Sequence, residues 1–287
     1  MTQAQATDTL RQWGDSARYW AEHSATIRQM FAPLTAGLIE DAVIGEGRSV
    51  LDVAGGPGEP SLTIAEAVGP SGLVTCTDAV AEMVQAAEAE SRQRGLKNIR
   101  FQQCTAEALP FSDNTFDATV SRLGAMFFPV EAFTEILRVT KPGGTIAFAV
   151  WHTSELNPFC ELVTNVMSLH VESVPVDANA PGAFRFAELG KLASVLRAAG
   201  SINVRERILK FDIAAPISLQ GFWAVRSGLS ETLRTKLATL SEGEKSRIAD
   251  EVEEAVRDFF PNNRMKFPAQ MLIVSGRKPD LAGTLQT

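Results

Sequence analysis

Only three cysteines occur in the 287 residues, Cys76, Cys104 and Cys160, and no Cys-x-x-Cys pair exists among them. That spacing offers neither a zinc-knuckle ligand set nor a thioredoxin-like redox pair, so no metal site is expected. It suits unpaired thiols in a reduced, cytoplasmic setting. Basic charge is also scarce. Lys and Arg total 27 against 34 Asp and Glu, a net charge of −7, and no long basic run interrupts the balance. A chain whose main partner is nucleic acid or an anionic membrane wants the opposite sign. No apolar run is long enough to span a bilayer, which excludes membrane insertion. The segment Met1 to Asp8 is polar and has no apolar signal core.

What is present is enough apolar mass for a large core, at 45% of residues. Residues 9–44 carry apolar and aromatic side chains at helical spacing, through Trp13, Ala17, Trp20, Ile27, Met30 and Phe31, with an interruption near Pro33. From there strands expected at 49–54, 72–77, 98–103, 116–121 and 144–151 alternate with helices at 59–68, 80–94 and 130–139. Such alternation implies an α/β fold, a parallel sheet with helices on both faces. Residues 152–185 are mixed and punctuated by Pro158, Pro175, Pro181 and Gly182. A helix at 187–199 ends at Gly200, a strand follows at 202–213, residues 217–260 are helical and charged, and a last strand is expected at 268–276. The expected organisation is one domain: a helical cap (1–44), a core (45–213 and 267–279) and a helical insertion (214–266) before the last strand.

Val50-Leu51-Asp52-Val53-Ala54-Gly55-Gly56-Pro57-Gly58-Glu59 carries the most chemistry. A short strand runs into a glycine-rich turn and then a helix, so bare backbone can approach a nucleotide-like ligand. Asp78 follows the second strand, 20 residues after Gly58. In a right-handed strand–helix–strand unit this spacing sets its carboxylate beside the turn, within reach of two ribose hydroxyls. It also suits a cap for the helix beginning near Val80. Thr105-Ala106-Glu107-Ala108-Leu109-Pro110-Phe111 follows the third strand, where it could read a purine edge. Lys141-Pro142-Gly143-Gly144 is a structural turn ahead of the fifth strand.

Taken together, these segments resemble the class I S-adenosylmethionine-dependent methyltransferases, especially the small-molecule branch that includes the ubiquinone/menaquinone C-methyltransferases. The resemblance runs motif by motif over residues 48–151. It implies a Rossmann-like, doubly wound, seven-stranded sheet whose last strand is antiparallel and inserted between the fifth and sixth. It further implies S-adenosyl-L-methionine as cofactor, contacted by Ala54, Gly55, Gly56, Gly58, Asp78, Ala79, Met83, Thr105, Ala106, Glu107 and Ser121. Ala54 stands where the family has its first turn glycine. Thr105 stands where the family commonly has Asp, so a neutral contact replaces a charged one at the adenine.

Methyl transfer is an in-line displacement, and a general base is needed only when the nucleophile arrives protonated. His152, directly after the fifth strand, is the candidate base. Trp13, Tyr19, Trp20, Arg122, Met126, Phe127 and Trp223 are the candidate substrate residues, and they favour a small aromatic or apolar acceptor. Arg122 could pair with the cofactor's carboxylate or with an acidic substrate. Two other readings remain. A nicotinamide-dependent oxidoreductase would need Gly at position 61, where Ser61 stands. A non-catalytic S-adenosylmethionine-binding scaffold or regulator would bind the cofactor through the same motifs and transfer nothing.

Overall fold

The fold is built around one mixed sheet in the order β3-β2-β1-β4-β5-β7-β6. It is seen in a computed structural model that describes residues 3–171, 177 and 179–280; Pro175 lies outside the described residues. The strands are β1 (Ser49–Val53), β2 (Leu73–Asp78), β3 (Ile99–Gln103), β4 (Phe116–Arg122), β5 (Thr140–Trp151), β6 (Ile202–Ala215) and β7 (Met265–Arg277). The first five run parallel, and β7 lies antiparallel between β5 and β6. This is a Rossmann-like sheet, with the seventh strand antiparallel and inserted between the fifth and sixth as expected.

Helices α1 (Gln3–Glu22), α2 (Ser24–Met30) and α3 (Ala32–Asp41) precede β1. The sheet is wound by α4 (Ser61–Val68), α5 (Ala81–Gln93), α6 (Glu131–Val139) and α8 (Lys191–Ala198). Central strands are buried on both faces: Val50, Leu51, Val74, Val120, Phe148 and Val150 have no exposed surface. Parallel strands covered by helices on either side take this form.

Three segments differ from the sequence-based expectation, each for a local reason. The mixed stretch after 152 contains a full helix, α7 (Pro158–His170). Its proline sits in the first turn, where no N–H is needed, so it starts a helix instead of ending one. The charged stretch 217–260 divides into α9 (Leu219–Leu229), α10 (Glu231–Ala238) and α11 (Glu242–Val256). Serines make the breaks. Ser230 Oγ accepts from the Leu233 N–H, and Ser241 forms a capping box with Glu244. Finally, β5 begins at Thr140 but loops out at 141–144, because Phe116 pairs with Thr140 while Ala118 pairs with Thr145.

An aromatic cluster joins the late helices to the sheet. Phe267 on β7 is fully buried. It stacks on Phe259 at 4.6 Å between ring centroids and on Phe222 of α9 at 5.4 Å, and it meets Phe159 of α7 edge-on at 5.6 Å. Such pairs contribute beyond their buried area. Phe267→Ala is therefore expected to lower stability by about 3–5 kcal/mol in urea unfolding, the range for a truncated core aromatic. A loss below about 1 kcal/mol would mean that the cluster is not one packed unit.

Candidate functional site

Parallel register brings the distant motifs to one edge. Val53 pairs with Thr77, and Asp78 pairs with Gln103. The turn after β1, the end of β2 and the loop after β3 therefore stand side by side. Asp78 fastens them. Its Oδ2 accepts the Gly56 N–H at 3.0 Å, and its Oδ1 accepts the Val80 N–H at 3.0 Å. The Asp78 carbonyl accepts from the Cys104 N–H at 3.0 Å. Burial pushes the Asp78 carboxyl up from its ordinary pKa, and the backbone N–H bonds pull against that rise.

The turn works through its glycines in different ways. Gly56 has φ +55, and a Cβ there would meet nothing within 4 Å, so its backbone faces open space. A Cβ on Gly55 would lie 2.7 Å from the Cys76 sulfur and 2.9 Å from Asp52 Oδ2. Ala54 takes φ +58, a left-handed conformation that costs a residue with a Cβ of order 1 kcal/mol. Its methyl group fits because position 124 is glycine, whose Cβ would lie only 2.8 Å away.

A cleft of about 1460 Å³, open mouth included, lies along this edge. Its walls include Ala54, Gly55, Gly56, Asp78, Ala79, Met83, Thr105, Ala106 and Glu107 from the expected cofactor set. They also include Trp13, Trp20, Arg122 and Phe127 from the expected substrate set. α1 roofs the cleft. Its Trp13 and Trp20 pack on a small cluster of Ala17, Val80 and Met83, and Trp20 also reaches the main core. Trp13 also meets Phe127 edge-on at 5.4 Å.

Six expected site residues do not line the cleft. Gly58 packs helices: a Cβ there would lie 2.8 Å from Leu62 Cδ1 and 3.4 Å from Ala87 Cα. Ser121 is buried, and Gly124 leaves it room, since a Cβ there would reach 2.7 Å from its Oγ. Met126 is a core residue at 3% exposure. Tyr19 faces α10, with its ring under the Arg234 guanidinium. Trp223 packs on the main core. His152 requires the largest correction. It is buried, and its Nδ1 lies 2.8 Å from the Ala187 carbonyl and 2.8 Å from the Thr153 N–H. Either tautomer has a backbone partner there, and the ring sits beneath the segment after residue 182 and not in the cleft.

Other residues fill the site that sequence reasoning passed over. Asp52 ends β1 fully buried, and its Oδ2 accepts from Ser61 Oγ at 2.5 Å. Burial raises its pKa to about 7. Ser61, at the position where the nicotinamide motif would need glycine, thus points inward to this acid. Glu59 and Arg94 form an ion pair at 2.8 Å on the cleft wall, with Glu90 on Arg94 at 2.9 Å. Ile27 and Phe31 from the N-terminal helices complete the apolar side. The charges at 59, 90 and 94 carry no motif, and only the fold brings them together. Among the described residues no group of three His, Cys, Asp or Glu side chains is placed to hold a metal ion, and no helix is long and apolar enough to cross a membrane.

Comparisons with known proteins point the same way as the geometry. A family profile described as a methyltransferase domain matches residues 44–182. An uncharacterized protein of Mycobacterium tuberculosis is 39% identical over 136 residues, which cover 46% of this chain and 48% of that protein. A ubiquinone/menaquinone biosynthesis C-methyltransferase of Hahella chejuensis is 39% identical over 111 residues, 38% of this chain and 45% of that enzyme. The chain thus spans about half the length of the curated relatives it matches. The crystal structure of the YcgJ protein from Bacillus subtilis superposes with a TM-score of 0.53 at 22% identity, covering 86% of this chain and 98% of that one. That likeness is one of fold.

The buried acid at Asp52 has a measurable signature. An unfolded carboxyl has a pKa of 3.8, against about 7 in the fold. Between those values the folded chain keeps a proton that the unfolded chain has released, so this group lowers stability as pH rises from about 4 to about 7. Asp52→Asn cannot titrate. The stability of the parent relative to this variant should therefore rise on acidification through that window, by up to about 1.4 kcal/mol per pH unit in urea melts. Parallel pH profiles would refute the assignment.

Proposed function

We propose that this chain, a member of the methyltransferase-domain family through residues 44–182, moves the methyl group of S-adenosyl-L-methionine to a small, largely apolar acceptor bound beside it. The observation that carries the reading is Asp78. Its two carboxylate oxygens are each fixed by one backbone N–H, from Gly56 and Val80. Each oxygen keeps a lone pair for one further donor, which is what a pair of vicinal ribose hydroxyls requires. The cofactor fits the residues present. Gly56 leaves its side of the turn open, Gly55 removes a Cβ that would strike Cys76, and Thr105, Ala106 and Glu107 line the same cleft next to Asp78.

When bound, the cofactor supplies an electrophilic methyl group on a sulfonium, so the chain's own task is position and environment. Asp78 accepts the ribose hydroxyl hydrogens. The Thr105–Glu107 loop flanks the adenine and offers a hydroxyl and backbone groups where a relative would offer a carboxylate. Trp13, Trp20, Ile27, Phe31 and Phe127 hold the acceptor's apolar body and keep water from the reacting atoms. Fixing acceptor and methyl donor in line can supply several kcal/mol of the rate enhancement, roughly 7–11 in well-oriented intramolecular reactions. No proton transfer is routed through His152, which lies off the cleft wall.

Incubation with labelled S-adenosylmethionine and a panel of phenols, quinols, amines and carboxylates tests the activity, with the methylated product identified by mass. Label should pass to at least one aromatic or apolar member; absence of transfer to all of them leaves only a cofactor-binding protein. Asp78→Ala should weaken S-adenosylhomocysteine binding by about 1–3 kcal/mol in calorimetry, the scale of a lost hydrogen bond to a charged group. Unchanged affinity would remove the ribose assignment. His152→Ala should keep turnover within about threefold of the parent on the same acceptor. A drop of roughly 10²–10⁴ would return it to the role of general base.

A further inference from the structure

Two guanidinium groups line the cleft, those of Arg94 and Arg122, and only one has its countercharge. Arg94 is bound by Glu59 and Glu90. Arg122 is 8% exposed, and its hydrogen-bond partners are neutral. One terminal nitrogen donates to Thr35 Oγ1 at 2.7 Å and the other to the Glu59 carbonyl at 3.1 Å. Its plane lies over the Phe31 ring, 5.6 Å from the centroid. Among the described residues no carboxylate comes within ion-pair distance of it. Glu59 and Asp52 act on it only through space. Glu59 is already paired with Arg94, and Asp52 directs its Oδ2 to the Ser61 hydroxyl.

A buried cation with neutral partners alone is an expensive arrangement. A guanidinium carries five N–H donors, and two are spent here. The rest are available to a bound anion, in surroundings where a charge-assisted pair is strong. The residues that aim the fork also say whose anion it is. Thr35 opens onto it from α3, and Phe31 from the junction of α2 and α3. Both stand outside the 44–182 segment that matches the methyltransferase domain. Phe31 belongs to the wall that Ile27 and Trp20 continue, the apolar side of the cleft, and Thr35 is buried behind it.

We propose that Arg122 binds an anionic group of the acceptor, a carboxylate or an equally compact oxyanion, so that the acceptor is an acid with an apolar body. This rests on the methyl-transfer reading and narrows its acceptor class. The apolar wall takes the body and the fork of Arg122 takes the charge, which fixes the acceptor at two points and so sets which of its atoms faces the methyl group. Arg122 is in this sense a specificity-determining residue.

S-adenosylmethionine has a carboxylate of its own, so the experiment must separate the two sources. The full chain saturated with S-adenosylhomocysteine is titrated with benzoate and with benzamide, its neutral isostere, following the fluorescence of the cleft tryptophans Trp13 and Trp20. The unsubstituted chain should bind benzoate about tenfold or more tighter than benzamide. Arg122→Gln should abolish that preference while leaving S-adenosylhomocysteine affinity within about threefold. Arg122→Lys, which keeps the charge and loses the fork, should retain part of the preference. Equal affinity for benzoate and benzamide in the unsubstituted chain overturns the proposal, and that comparison needs no variant to fold. A tenfold or greater loss of S-adenosylhomocysteine affinity in Arg122→Gln, with 5′-methylthioadenosine binding unchanged, also overturns it, because the anion is then the cofactor's. If the unsubstituted chain binds no S-adenosylhomocysteine, the methyl-transfer reading fails instead, and the benzoate comparison still decides the role of Arg122.

Discussion

The carboxylate of Asp78 is the point on which the site depends. Hydrogen bonds from Gly56 and Val80 to its two oxygens tie the turn after β1 to the end of β2 and to the start of α5. Its own carbonyl reaches the loop after β3. One residue thus ties three loops together at this edge. Burial raises the energy of its charge, and the backbone N–H bonds offset part of that cost. In the proposed reaction the same carboxylate meets the cofactor, so the group that shapes the site is also one that a ligand would engage.

Around that anchor the turn is held under local constraint. Asp52 lies beneath it as a buried acid, bonded to Ser61 at the head of α4. Ala54 takes a left-handed backbone, and so does Leu123 across the edge at φ +64. Both are uncommon for residues with side chains. They meet where Gly124 leaves space for the Ala54 methyl. A turn of this kind cannot relax one residue at a time, and that rigidity is what a preorganised binding edge requires.

Sheet order, and the edge where the glycine turn meets Asp78, were legible because strand–helix alternation and glycine spacing are local signals. Gly55, Gly56, Asp78 and Thr105 can all be placed from the strands that precede them. Other residues could not. His152 follows β5 directly, but whether a side chain at a strand's end faces the cleft depends on what covers it. Here the segment after residue 182 does so, through the Ala187 carbonyl. Tyr19 and Trp223 are aromatic residues of the right segments turned the wrong way: helix periodicity gives a face, not its partner. The Glu59–Arg94–Glu90 group joins the C-terminal end of α5 to the turn after β1, and no spacing along the chain announces it. Pro158 misled for a different reason, since a proline marks a helix start as readily as its end.

The division between legible and illegible parts follows the division of labour in the site. Residues 44–182 hold the elements that set the edge around Asp78, and that segment matches a methyltransferase-domain profile. Trp13, Trp20, Ile27, Phe31 and Thr35 lie before that segment, on the N-terminal helices and the junction between α2 and α3. α1 sits on α5 through a small hydrophobic cluster. Arg122 binds the two systems, reaching from β4 to Thr35 of α3 and to the carbonyl of Glu59 in the turn. The N-terminal wall and the Asp78 anchor are thus joined through one side chain. The wall cannot drift freely. Any replacement at Thr35 or Phe31 must still satisfy a buried guanidinium, and that requirement couples the shape of the acceptor pocket to its charge.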